Sequence, residues 1–199
     1  MKAKIFGTQK IIIRPLYKRD IFRVKDFQNF INSLVKEKAQ ILINKKRNHK
    51  EEREWLKTKI KELQRAKTVC LVAEQKVSSV DRRNIACKSG SSLRQKKIVG
   101  MVDVCLGDGH KEYVGTLSIG IRKGYRGIGL GTHLIKQILS LAGTCLRPRP
   151  KIVRLSAFAS NKAALGLYKK IGFKKIAKVP AQYYFQGDFI DELIMILFL

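Results

Sequence analysis

The 199-residue chain has four cysteines, four prolines, one tryptophan and only 15 acidic residues, against 42 lysines and arginines. Its cysteines (Cys70, Cys87, Cys105 and Cys145) are separated by 17, 18 and 40 residues with no close Cys/His pair. That spacing excludes a zinc motif, and the number is too low for a disulfide-dense secreted scaffold. The thiols read as reduced and mostly packed. No apolar run approaches the roughly 20 residues that span a bilayer. The tail Leu193–Leu199 is very apolar but short, and reads as a buried strand. Met1–Gly7 is basic yet lacks the apolar stretch of a signal peptide. The expectation is a soluble, cytoplasmic protein. The shortage of acids leaves a net charge of +27, which favours polyanionic partners in general.

What is present suits one compact domain spanning residues 1–199: 45% of residues are hydrophobic and 29% charged. A β-branched run at 10–16 reads as a strand ended by Pro15. Ile21, Val24, Phe27, Phe30, Ile31, Leu34 and Val35 then fall at three- and four-residue steps, predicting a helix over about 20–39. Asn48 followed by Glu51 is a capping-box pattern that opens a second helix to about residue 67. Its stripe is thin: Leu56, Ile60 and Leu63, beside Trp55. Strands follow at 69–73, 98–106 and 113–121, the last two joined through Gly107-Asp108-Gly109 as a hairpin. Helices are expected over about 129–142 and 162–171, and strands over 152–157, 174–179 and 191–199. Hairpins and crossovers mix along the chain, the pattern of an α+β domain on a mixed sheet. Residues 77–97, rich in Ser, Lys and Arg without periodicity, read as an exposed basic loop. Twelve Lys/Arg and five Asp/Glu lie within 36–67. They form a solvated basic face, or one that docks RNA or a ribosome electrostatically, and no aromatic interleaving points to sequence-specific recognition.

Chemistry concentrates where a strand meets a helix. Six of the fifteen glycines lie between Gly115 and Gly131, in a segment centred on Gly124-Tyr125-Arg126-Gly127-Ile128-Gly129-Leu130-Gly131-Thr132. A glycine-rich turn feeding a helix presents unpaired N–H groups at the positive end of the helix dipole, a site for phosphate or pyrophosphate. Gly131-Thr132-His133 lacks the Lys of a phosphate-binding P-loop. A dinucleotide fingerprint fails at Thr132, and no acid follows about 20 residues on.

Arg126-x-x-Gly129-x-Gly131, after a strand ending Leu117-Ser118-Ile119-Gly120-Ile121, resembles motif A of the GNAT N-acetyltransferase superfamily. Ser160-Asn161-Lys162-Ala163-Ala164-Leu165-Gly166-Leu167-Tyr168-Lys169-Lys170-Ile171-Gly172-Phe173 is similar to the family's downstream segment in order and spacing. Gln186–Met195 resembles its terminal strand. The similarity covers roughly residues 98–199.

The resemblance implies a GNAT-like α+β fold: a mixed, mostly antiparallel sheet flanked by helices, split between two strands where acetyl-CoA binds. It implies that the backbone of Ile119 and Ile121 pairs with the pantetheine arm. The amides of Arg126, Gly127, Ile128, Gly129, Leu130, Gly131 and Thr132 would hold the pyrophosphate, with Asn161 and Tyr168 across the arm. No metal is implied. The implied reaction is direct attack by a primary amine on the thioester. An amide near Ile119 would stabilise the oxyanion, and Tyr168 would protonate the thiolate. The base departs from the family pattern, because Thr116 stands where many relatives carry Glu. Glu112, which shares the alternating face with Thr116 and could act through water, is the candidate, ahead of Asp103 and His110. Neutralising a lysine amine at pH 7 costs about 4.6 kcal/mol, against about 1 kcal/mol for an α-amino group. A weak or water-relayed base therefore favours a protein N-terminus over a lysine side chain, with a small-molecule amine the alternative acceptor. Dimerisation, common among relatives, stays open.

Overall fold

The computed structural model describes residues 3–76 and 96–199. The sequence-predicted basic loop, with Cys87, Arg82, Arg83, Lys88 and Arg94, lies outside the described residues, except that Lys96 and Lys97 begin a strand instead.

The elements run β1 (Lys4–Phe6), β2 (Gln9–Pro15), α1 (Val24–Lys36), α2 (His49–Gln64), β3 (Thr68–Lys76), β4 (Lys96–Leu106), β5 (Val114–Ile121), α3 (Leu130–Cys145), β6 (Ile152–Phe158), α4 (Lys162–Ile171), β7 (Lys174–Phe185) and β8 (Asp188–Phe198). The eight strands described form one sheet in the order β1-β2-β3-β4-β5-β6-β8-β7. Every neighbouring pair is antiparallel except β5–β6. Strand alternation divides the apolar residues between two cores. Val69, Leu71 and Ala73 of β3 face the core built with α3 and α4, whereas Cys70 and Val72 face the one built with α1 and α2.

The expected first helix is shorter than its apolar periodicity suggested. Lys18–Arg23 is a 3₁₀ turn, and α1 proper starts at Val24. The turn is held by buried charge. Arg14 donates to Asp20 at 2.7 and 2.8 Å and to Glu74 at 2.8 Å, while Arg23 pairs with Glu74 and Asp26. Glu74, on β3, is completely buried. This network fixes where α1 lies on the sheet.

The parallel pair β5–β6 is short. It holds only where Val114–Thr116 face Ile152–Arg154. Beyond those residues the strands part, so the second half of β5 has β4 on one edge and an opening on the other.

Candidate active site

The opening exposes a particular set of backbone groups. At the two ends of the β4–β5 ladder, Arg122 N–H donates to the Val99 carbonyl and Gly107 N–H donates to the Val114 carbonyl. In an antiparallel pair such residues alternate with ones whose polar groups point the other way. Ile119 and Ile121 are therefore the β5 residues that turn their amides and carbonyls to the gap, as an incoming extended chain requires. The Arg126 side chain reaches back from the glycine turn, and its Nε donates to the Ile121 carbonyl at 2.7 Å.

The glycine turn leads into α3. Gly124, Gly127 and Gly129 have φ of +87°, +77° and +85°, the left-handed region that glycine enters without strain. Gly129 is the N-cap of α3 and offers no side-chain acceptor, and the first intrahelical bond runs from His133 N–H to the Gly129 carbonyl. The amides of Leu130, Gly131 and Thr132 thus face outward at the positive end of the helix. A Cβ added to Gly124, Gly127 or Gly129 would meet nothing within 4 Å, so the cradle stands open. At Gly131 a Cβ would come within 3.1 Å of Leu167 and 3.3 Å of Ile121, which ties α3 closely to α4 and β5.

From the split a cavity of about 470 Å³ extends beneath α1 and α2. Thr116, Ser118, Ile119, Gly120, Ser156, Phe158, Asn161 and Tyr168 form the end nearest the split. Phe27, Phe30, Leu34, Ile41, Leu42, Ile43 and Trp55 form the other end, with Arg47, Glu52, Lys59, Asp103 and Cys105 among its polar residues. Asn161 caps α4, its Oδ1 accepting from the Ala164 amide at 3.2 Å. Burial pushes the Tyr168 phenol up to about 12.

Glu52 is 2% exposed and sits 3.1 Å from Arg47. Burial raises its pKa, opposed by the Arg47 guanidinium. Lys59 Nζ lies 2.9 Å from Asp103 and donates to Cys105 Sγ. Burial disfavours its charge, but Asp103 and Cys105 beside it hold it above the usual lysine range. The segment between α1 and α2 is tied down at both ends of the cleft. Gln28 and Asn32 donate to the Arg47 carbonyl, Gln40 bonds Ser160 at 2.7 Å, and Glu37 accepts from the Lys123 amide and pairs with Arg126.

Glu112 stands elsewhere. Residues 109–111 form a 3₁₀ turn, Glu112 ends it, and β5 begins only at Val114. The turn breaks the alternation that would have put Glu112 on the face of Thr116, and Glu112 does not line the cavity. His110 lies in the same exposed turn. Asp103 does line the cavity, committed to Lys59. Glu52, Arg47 and Lys59 were missed from sequence. The available signal was that Glu52 and Lys59 share the helical stripe of Leu56, Ile60 and Leu63.

Among the described residues, no cluster of three or more His, Cys, Asp or Glu has metal-site geometry, and no helix is long and apolar enough to cross a membrane. The sequence profile of the family described as an acetyltransferase (GNAT) domain matches residues 67–175. A curated N-alpha-acetyltransferase from Sulfurisphaera tokodaii is 35% identical over 72 residues, which span 36% of this chain and 41% of that protein. A GNAT-family acetyltransferase structure from Streptococcus pneumoniae superposes with a TM-score of 0.73 at 21% identity, covering 95% of this chain and 99% of that one. The structure of yncA from Salmonella typhimurium, solved with its cofactor acetyl-CoA, gives 0.71 at 18% identity over 95% and 94% of the two chains. At these identities the structural likeness is one of fold.

Proposed function

Because the chain belongs to the GNAT acetyltransferase family, we propose that it transfers the acetyl group of acetyl-CoA to the α-amino group of a polypeptide. The observation that carries this reading is the split between β5 and β6, which opens on one side to a glycine-lined helix N-terminus and on the other to a cavity of about 470 Å³ with a mouth to solvent. The amides of 126–132 suit a pyrophosphate, and the gap-facing edge of β5 at Ile119 and the Ile121 amide suits an arm bearing amides, the Ile121 carbonyl being taken by Arg126. The thioester would then lie between Ile119, Asn161 and Tyr168, at the inner end of the cavity. Attack by the amine forms the new C–N bond, the carbonyl oxygen takes up negative charge near the Ile119 amide, and the C–S bond breaks. The amine proton leaves to solvent or a base, and the thiolate is protonated by the Tyr168 phenol.

Glu52 replaces Glu112 as the base in this proposal, acting through water from the cavity wall. A carboxylate whose pKa is raised by burial is a better base than a solvated one. The α-amine acceptor fits a relayed base, since it needs only about 1 kcal/mol to be neutral at pH 7. The N-alpha-acetyltransferase among the relatives supports the same acceptor class. Three thiols free of disulfides among the described residues, Cys70, Cys105 and Cys145, suit a cytoplasmic setting.

Thiol release from acetyl-CoA, measured with a panel of N-terminal peptides, free lysine and small amines, tests the reading, and no release with any amine overturns it. Glu52→Gln should lower kcat/KM about tenfold near pH 6.5 and hardly at all near pH 9, where the amine is already neutral. An unchanged acid limb in the pH profile would remove Glu52 from the mechanism. Gly129→Val should weaken acetyl-CoA binding by roughly tenfold to a hundredfold, because a β-branched residue at φ +85° is strained and its methyls enter the cradle. Calorimetric titration showing wild-type affinity would dismiss the cradle.

A further inference from the structure

The acceptor half of the cavity has a chemistry of its own. Its walls from α1 and the following segment are large and apolar, including Phe27, Leu34, Ile41 and Leu42. Its charges are paired internally, Glu52 with Arg47 and Lys59 with Asp103, so they offer an incoming group little net charge. Leu42, on this wall, is 66% exposed, an apolar side chain presented to whatever enters. Outside the mouth a shallow depression shares Ile43, Arg47 and Trp55 with the cavity and continues past Lys45 and Lys46. Its one acid, Glu51, is engaged at the helix start, where its carboxylate accepts from the Asn48 amide at 2.8 Å. Arg47 lies over the Trp55 ring, 5.6 Å from its centroid. The depression is therefore net positive, and it is contiguous with an apolar pocket.

We infer that the acceptor is a peptide whose first residue carries a large apolar side chain and whose next few residues carry a carboxylate. This rests on the acetyltransferase reading above. The first side chain fills the space between α1 and Ile41, the amine points to the split, and the chain leaves over Ile43 and Trp55 toward Lys45 and Lys46. A small first residue leaves the apolar pocket unfilled. A basic second or third residue meets like charge on a protein already carrying +27.

The test compares peptides beginning Met-Asp-Glu, Ala-Asp-Glu and Met-Lys-Lys on the full chain. The Met-Asp-Glu peptide should show kcat/KM about tenfold or more above Ala-Asp-Glu, the scale of a lost large apolar contact. It should also exceed Met-Lys-Lys by about tenfold at low salt, and that second ratio should shrink at high salt, where charges at the rim are screened. Lys45→Glu with Lys46→Glu should reverse the charge preference. The sole tryptophan, Trp55, lines both subsites, so its emission reports peptide binding without any turnover. Saturable change with Met-Asp-Glu, and a weaker response to the other two peptides, is expected. Equal rates for all three peptides, turnover only of small amines, or an emission change produced by an RNA oligonucleotide and not by the acidic peptide overturns this inference. Each leaves acetyl transfer itself standing. Absence of thiol release with every amine overturns both.

Discussion

Tyr168→Phe should lower kcat by about a hundredfold or more, with KM for acetyl-CoA little changed, since a general acid typically contributes 10²–10⁴-fold. The residue is 8% exposed, and its ring packs edge-on against Phe173 at a centroid separation of 6.0 Å. Phenylalanine keeps that packing, so a lost rate reports the hydroxyl. Burial puts the phenol at about 12, whereas its ordinary value near 10 stands much closer to a free thiol's near 8.5. The higher value has two consequences. The phenol remains protonated through neutral and mildly alkaline pH, so it imposes no alkaline limb on kcat below about pH 11. It is also a weaker acid, and proton transfer must accompany C–S cleavage in a site where desolvation raises the proton affinity of the thiolate as well. Stopped-flow and steady-state assays across pH check this. Wild-type kcat in Tyr168→Phe would reassign the acid, whereas an alkaline limb near pH 9 that vanishes with the hydroxyl would keep the acid and show that burial does not raise its phenol.

Legibility from sequence followed the range of the interactions. Local signals were readable. The Asn48–Glu51 capping box forms as its spacing indicated, with reciprocal bonds of 2.8 and 2.9 Å, and α4 spans Lys162–Ile171 with Asn161 at its cap. The turn before α3 has its glycines where positive φ is needed. Errors arose where distant elements set the outcome. Glu112 was placed by extending strand alternation through a hairpin that instead contains a 3₁₀ turn. The strand β1 was missed because three residues have no visible period; it exists as the antiparallel partner of β2. Glu52 and Lys59 resembled exposed charges on a helix with a thin apolar stripe. Their burial depends on Arg47 from the preceding segment and Asp103 from β4, 5 and 44 residues away. A charged residue in register with an apolar stripe is thus a cue to seek its distant counter-ion.

The same cue identifies the network beneath α1, where the largest loss of stability is expected. Arg14→Met should destabilise the fold by about 3–5 kcal/mol at pH 7, a large share of a typical total of about 5–15 kcal/mol, because it strips a guanidinium from two buried carboxylates. Asp20 and Glu74 are 1% and 0% exposed, and Glu74 Oε2 has no hydrogen-bond partner among the described residues, with Lys96 Nζ 3.9 Å from it. In the wild type, burial pushes the Glu74 pKa up, but hydrogen bonds from Arg14 and Arg23 prevail and it is lowered. Its contribution is present above the unfolded value of about 4.3 and is lost as pH falls through the lower folded value. In Arg14→Met, burial acts on Glu74 without that guanidinium, so the folded state retains its proton more tightly than the wild type does. Stability then falls as pH rises, and the variant should come closer to wild type at pH 5 than at pH 7. Urea unfolding at both pH values checks the magnitude and the sign. A loss below about 1 kcal/mol at pH 7, or a deficit that widens on acidification, would show that the network behaves like a solvated surface cluster. Replacing Arg14, Asp20 and Glu74 together by Met, Leu and Leu should recover part of the stability, because no uncompensated carboxylate of the triad remains. Recovery of stability without recovery of acetyl transfer would show that the charges serve to orient α1, whose Phe27 and Phe30 line the cavity beside the split.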